Sequence, residues 1–240
     1  MKKSKLTTAS LNPGPGFRIR KNIDRPDKEL VQKFREFPTP DISDLLNRLY
    51  AINAKIHLLT DQHHHIVGTA CTITTFPGDN LMVHKSLDIA EPDDILVIAA
   101  GGSASNNAVL GDLIANKAKH RGFQGCIIDG LIRDLPSIKE ANFPVFARGT
   151  TPIGPLHRGP GEINYPIACG GVVVNPGDIV AADAAGIVVI PKELASELIE
   201  RLTINKAKNQ DYYESVKKGI FSNAWVDDLL ENTGCSFDED

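Results

Sequence analysis

The chain has 240 residues, of which 42% are hydrophobic and 23% charged, so one large domain can bury its own core without disulfides or a structural metal. A formal charge of −4, a pI near 6.0 and an aromatic content of 6% exclude the basic, aromatic-laced surface of a general nucleic-acid binder. No apolar run approaches the ~20 residues of a membrane span, and the opening MKKSKLTTASLNPGPG lacks the apolar stretch of a secretory signal, so a cytoplasmic protein is expected.

Residues 1–16, rich in Lys, Ser, Thr, Pro and Gly, read as a flexible or partner-wrapping arm. PDISDLLNRLY (40–50) predicts a first helix. Ile42, Leu45, Leu46 and Leu49 recur at helical spacing, Thr39 or Asp41 can cap it, and Pro40 suits an early position. His63, His64 and His65 invite a metal reading. Consecutive side chains of an extended segment point to opposite faces, however, so a solvent-facing turn is expected there. IVGTACTITTF (66–76) is β-branched and predicts a strand, PGDN a turn, and LMVHKSLDIA a short helix. DILVIAA (94–100) is a continuous apolar strand ended by Gly101 and Gly102, which serve either a turn or a close backbone approach to a ligand.

Between Asn107 and Arg121 the apolar residues Val109, Leu110, Leu113, Ile114, Ala115 and Ala118 share a helical face, and Gly122 is a left-handed stop. A short strand at 126–128 opens into an Asp129-Gly130 turn. A brief helix follows at 137–141, a strand at 144–149, and a long Pro- and Gly-rich loop at 150–167. Three short β runs (GGVVVNPGD, DIVAAD, GIVVIP) precede a long charged helix from Lys192 toward Lys218 and the tail FSNAWVDDLLENTGC. Asp178 and Asp183 read as turn residues. Cys71, Cys126, Cys169 and Cys235 have no zinc or redox spacing and read as reduced thiols. Helices alternating with strands, then a cluster of strands, predict an α/β fold: one layered α/β/α-type domain around a central mixed β core, with extensions at both ends.

The segment GDLIANKAKHRGFQGCIIDGLIRD (111–134) carries the chemistry. Twenty residues separate Asp112 from Arg133. A helix that crosses back and a strand that returns would bring Asp112, Arg133 and Asp134 to one rim. Two carboxylates and a guanidinium at a rim suit a divalent cation and an anionic keto acid.

This segment resembles the signature of the RraA-like family, which includes class II 4-hydroxy-4-methyl-2-oxoglutarate aldolases. PTPDISDLL, GTACTITTFPGDNLMVHKSL and GGVVVNPGDIVAADAAGIVVIP are similar to its flanking parts, and the likeness spans roughly 38–195. The chain then divides into an arm (1–37), a catalytic domain (38–195) and a C-terminal helix and tail (196–240) that pack between subunits. The resemblance implies a swivelling-domain-like fold, a homotrimer or hexamer, and a keto acid as substrate. It implies that the amides around Gly111, Asp112, Leu113 and Ile114 hold the carboxylate of a pyruvate-like substrate. Arg133 reaches the carbonyl or enolate oxygen, Asp134 ligates Mg²⁺ or Mn²⁺, and Asp112 works through a water as the proton shuttle. Asn80 and His84 fall where the family has polar residues near the pocket, and His84 either orients substrate or is structural. Glu162, Glu193, Glu197 and Glu200 could reach a neighbouring subunit's site.

Chemistry leads to the same expectation. Cleaving a β-hydroxy keto acid leaves a pyruvate enolate whose charge a metal or a cation must stabilise, and decarboxylating oxaloacetate passes through that enolate too. Two alternatives stay open: a regulator that binds and inhibits a ribonuclease, as some RraA-like proteins do, and an enolate enzyme acting on another keto acid. A methyltransferase is disfavoured because no glycine-rich nucleotide loop follows a first strand.

Overall fold

The structure is a computed structural model that describes residues 10–60 and 63–236. It divides into a larger unit ending at Ile199 and a smaller one beginning at Glu200. Along the larger unit run β1 (Phe17–Ile19), α1 (Lys28–Lys33), α2 (Thr39–Leu45), β2 (His57–Leu58), β3 (Ile66–Thr75), α3 (Leu81–Ser86), β4 (Asp94–Ala99) and β5 (Ala108–Leu110). There follow α4 (Asp112–His120), β6 (Gly125–Ile132), α5 (Leu135–Glu140), β7 (Val145–Thr150), β8 (Gly161–Ile163), the hairpin β9 (Ile167–Cys169) and β10 (Val172–Val174), β11 (Ile179–Asp183) and β12 (Gly186–Ile190).

The central sheet is mixed, as expected. Strands β3, β4, β6 and β7 are parallel in that order, β8 and β11 pair antiparallel with β3, and β2 pairs antiparallel with β7. Alternation along β4 explains why its sequence is apolar throughout. Leu96 and Ile98 join a core with Met82 and Val83 of α3, Ile114 and Ala118 of α4, and Ile138 of α5. Ile95 and Val97 face the other way, into a core with Ile167, Cys169, Val174 and Val180. Cys71, Cys126 and Cys169 are buried and unpaired, and Cys235 is exposed. Burial pushes the Cys169 thiol up to about 12, so it is inert at neutral pH.

Several local expectations change. The first helix stops at Leu45, because Asn47 and Arg48 take left-handed conformations (φ 54° and 63°) and Arg48 N–H returns to Ser43 O. Leu49, expected on the buried face, is 74% exposed. Asp129-Gly130 is no turn, since β6 continues through it. The Asp129 carboxylate is matched by Arg148 Nε at 2.5 Å and Gly170 N–H at 2.8 Å, so a charge can sit inside a strand. Gly122 does stop α4 with φ 80°.

In the histidine triplet only His63 is exposed. His64 and His65 are half-buried, with Nε2 atoms that have no hydrogen-bond partner among the described residues, and burial pulls His65 below its ordinary value. Asp183 caps the start of α2 by accepting from Thr39 N–H and its hydroxyl at 3.0 and 2.7 Å.

The described part of the N-terminal arm is a strap pinned to the body. Residues 1–9 lie outside the described residues. Gly16 N–H and Arg18 Nε both bond Glu162 (2.9 and 2.6 Å), the guanidinium groups of Arg18 and Arg20 lie 3.8 and 4.5 Å from the Tyr165 ring centre, and β1 pairs with β8. Glu162, a candidate for reaching another subunit, is occupied by this strap. Further along, Arg25 clamps Asp94 with both terminal nitrogens, and the Asp94 side chain is only 1% exposed. Arg25→Ala leaves that carboxylate buried without its cation. The expected loss is about 3 kcal/mol of unfolding free energy in urea, the low end of the range for a broken buried pair. The reason for the low end is that Glu91 N–H still serves Asp94 at 2.8 Å.

In the smaller unit, α6 (Ala195–Lys217) continues as the long charged helix the sequence predicts, and α7 (Ala224–Asn232) forms from the tail. Trp225 and Leu229 of α7 are 62% and 54% exposed. No helix of the described residues is long and apolar enough to cross a membrane.

Candidate functional site

The site grows from two crossover connections that end at the same edge. After β5, Gly111 caps α4 in an extended conformation, so the first-turn amides of α4 face outward with the positive end of its dipole. After β6, Arg133 N–H bonds Leu110 O at 2.9 Å, which sets the end of β6 beside the start of α4. Asp134 follows in the left-handed region (φ 57°), which an aspartate tolerates better than most residues, and it begins α5.

The structure therefore brings Gly111, Arg133 and Asp134 together. Arg133 Nε lies 3.2 Å from Asp134 Oδ2. A Cβ placed on Gly111 would sit 2.6 Å from Asp134 Oδ2 and 3.2 Å from Arg133 Nε, so any side chain here would push those two groups from their present positions. On the other side, a Cβ on Gly154 would lie 2.9 Å from an Arg133 terminal nitrogen. The guanidinium is thus held between two glycine backbones.

Asp112 is also at the rim, but its carboxylate is turned inward to its own helix: Oδ1 accepts from Leu113 N–H at 2.7 Å. That removes one amide from the anion-binding set. The N–H groups of Asp112 and Ile114 keep no partner among the described residues.

Asp112 and Arg133 open onto a cleft of about 250 Å³, lined further by Asn80, His84, Leu113, Gly154 and His157. Asp134 is not among the lining groups and meets the cleft through its contact with Arg133. The loop after β7 closes the cleft because it is tied to the PGDN turn. Asn80 N–H bonds Leu156 O at 3.0 Å, Leu156 N–H bonds Gly78 O at 2.8 Å, and the buried Asp79 carboxylate accepts from Arg158 N–H at 2.5 Å. His84 and His157 meet edge-on with ring centres 5.4 Å apart. Burial, then His157, then Lys117, hold His84 below its ordinary imidazole value, so it stays neutral at physiological pH.

Asn80 and His84 were visible in the sequence. His157 and Gly154 were not, because they sit in a loop without periodicity, where only proximity after folding marks them.

Among the described residues no group of three or more His, Cys, Asp or Glu is arranged to hold a metal. The donor this site offers a cation is a single hard carboxylate, 38% exposed on Asp134, which leaves room for water in the remaining positions.

Comparison with known proteins agrees with this architecture. Residues 39–189 match the sequence profile of the RraA-like family, described as Aldolase/RraA. A protein of Halalkalibacterium halodurans named "Putative 4-hydroxy-4-methyl-2-oxoglutarate aldolase" is 36% identical over 81% of this chain and 91% of its own length. The crystal structure of Streptomyces coelicolor RraAS2, called an unusual member of the RNase ES inhibitor RraA protein family, superposes with a TM-score of 0.72 at 30% identity. That likeness covers 80% of this chain and 99% of the other. A Geobacillus kaustophilus structure named S-adenosylmethionine: 2-dimethylmenaquinone methyltransferase superposes at 0.61 with 33% identity, over 67% and 98%. With the profile covering most of the chain, and a mixed sheet shared with these structures, the protein belongs to the RraA-like family.

Proposed function

We propose that the protein is a divalent-metal lyase that releases pyruvate from a 4-hydroxy-2-oxo diacid, of the 4-hydroxy-4-methyl-2-oxoglutarate or 4-carboxy-4-hydroxy-2-oxoadipate type. It also decarboxylates oxaloacetate. The supporting observation is the contact of Arg133 with Asp134 across Gly111, at the N-terminus of α4 and at the mouth of a cleft. The names of relatives about one-third identical point to the same chemistry.

Asp134 would hold Mg²⁺ or Mn²⁺ with waters. When bound, such an ion stabilises the charge of an enolate oxygen as a Lewis acid. The chain's own groups do the rest. Backbone N–H groups in the Gly111–Ile114 turn receive the substrate carboxylate at the positive end of α4. Arg133 donates to the keto oxygen and binds it more strongly as it gains charge, so the guanidinium favours the transition state over the ground state. Asp112, acting through a water, returns a proton to the carbon that leaves as pyruvate's methyl group. The subunit assembly that goes with this reading is a homotrimer or hexamer, which light scattering reads directly.

The test is a coupled pyruvate assay on a panel of oxo diacids. Turnover should require added Mg²⁺ or Mn²⁺ and fall to background with EDTA. Undiminished activity in chelator would overturn the metal assignment. A second reading draws on the likeness to RraAS2: a regulator that binds and inhibits a ribonuclease. Capture of a ribonuclease, with no pyruvate from any keto acid, would favour it. Pyruvate released only from a keto acid outside the hydroxy diacids would favour the related enolate enzyme instead.

A further inference from the structure

The cleft contains a second device, opposite in character to the cationic Arg133 end. Asn80 is buried, and its amide meets Val109 O at 3.2 Å. A carbonyl oxygen only accepts, so the group facing it is Nδ2. Oδ1 is thereby turned toward His157, whose Nδ1 lies 2.6 Å away. An amide oxygen also only accepts, so Nδ1 of His157 carries the hydrogen. The neutral imidazole must then present Nε2 as a bare lone pair. Nε2 has no hydrogen-bond partner among the described residues, and His157 lines the same cleft as Asp112 and Arg133. A backbone carbonyl sets an amide, and the amide sets a tautomer.

The surroundings keep that lone pair available. The ring of His84, itself held neutral, stands edge-on to His157, and Arg133 lines the same cleft. The acid next in the chain to Asn80, Asp79, is committed to Leu81 and Arg158 N–H groups, and Asp112 to Leu113 N–H. Neither acid bonds His157 among the described residues. His157 is exposed, so its ring can exchange a proton with solvent.

We propose that His157 Nε2 is the general base of the aldol cleavage, taking the proton from the substrate's C4 hydroxyl. This rests on the lyase reading above. As the O–H bond breaks toward Nε2, the C4 oxygen becomes a carbonyl and the C3–C4 bond breaks. Its electron pair passes to the pyruvate enolate, whose developing charge Arg133 meets. The enolate then gains a proton at C3 through the Asp112 water, and His157 gives its proton to solvent. Protons and electrons balance with no further reactant. Decarboxylation of oxaloacetate forms the same enolate but removes no hydroxyl proton, so it does not call on this base.

The experiment compares the full-length protein with His157→Gln and His157→Ala, with Mg²⁺ present, on 4-hydroxy-4-methyl-2-oxoglutarate and on oxaloacetate. The expected result is a fall of about 10²–10⁴-fold in kcat for cleavage, the usual contribution of a positioned base, with KM changed only a few-fold. The ratio of cleavage to decarboxylation should fall by about 10²-fold or more. Added imidazole should restore part of the cleavage in His157→Ala and none of the decarboxylation. An unchanged ratio, with both activities falling together or neither falling, overturns the proposal. Wild-type protein that yields pyruvate from neither substrate overturns the lyase reading itself, a result distinct from an unchanged ratio.

Discussion

Asp134→Asn is expected to lower kcat/KM for pyruvate release by about 10³-fold and to abolish the response to added Mg²⁺. The substitution keeps volume, and asparagine accepts the left-handed backbone that this position requires. Loss of fold is therefore not the expected route. What changes is the charge of the carboxylate beside Arg133 at the cleft edge. Lewis-acid stabilisation of a developing enolate contributes several kcal/mol, and about 4 kcal/mol corresponds to three decades of rate. The check is a Mg²⁺ titration of the coupled assay, with a thermal melt alongside. Activity within tenfold of wild type, still rising with metal, would remove Asp134 from the mechanism.

Arg133→Lys should cost about 10²–10³-fold in kcat, the range found when one transition-state donor is removed. Charge is retained in this variant, so the loss isolates geometry. The guanidinium is planar and passes close to both Gly111 and Gly154, where a Cβ would come within 3.2 and 2.9 Å of its nitrogens. An ammonium on a flexible stem has neither the fork nor the fit between them. Steady-state kinetics on both hydroxy diacid and oxaloacetate should show the loss in kcat for each, since both pass through the enolate. A change confined to KM would mean that Arg133 only anchors ground-state substrate.

How far the sequence foretold this arrangement depends on what kind of signal each part leaves. The apolar strands and the helix that Gly122 stops were legible from their periods, but the helical face was begun too early: Val109 and Leu110, read onto it, form β5, and Leu113 is 66% exposed. The approach of Asp112, Arg133 and Asp134 to one rim was expected from the resemblance and from the helix-and-strand spacing, and the structure passes Gly111 close beside Arg133 and Asp134. Its tightness depends on a Cβ that is absent, which no pattern announces. The first helix was drawn too long because Leu49 fits the spacing, whereas two left-handed residues before it outweigh that fit. The Asp129-Gly130 pair looks like a turn in isolation. Only the arrival of Arg148 from the next strand lets β6 run through it. Asp112 was expected to work through a water, and its local bond to Leu113 N–H is invisible at the level of spacing. The Asn80–His157 pair joins residues on either side of the sheet's main connections, so it became visible only with the loop in place.

The strap formed by Phe17–Ile19 and Arg25 lies wholly outside the span 39–189 that defines the family. A fragment trimmed to that span would therefore bare one edge of β8, uncover Tyr165, and strand an acid at the foot of β4 in an apolar setting. For this chain the smallest piece that recognises kinship is smaller than the smallest piece that is physically whole.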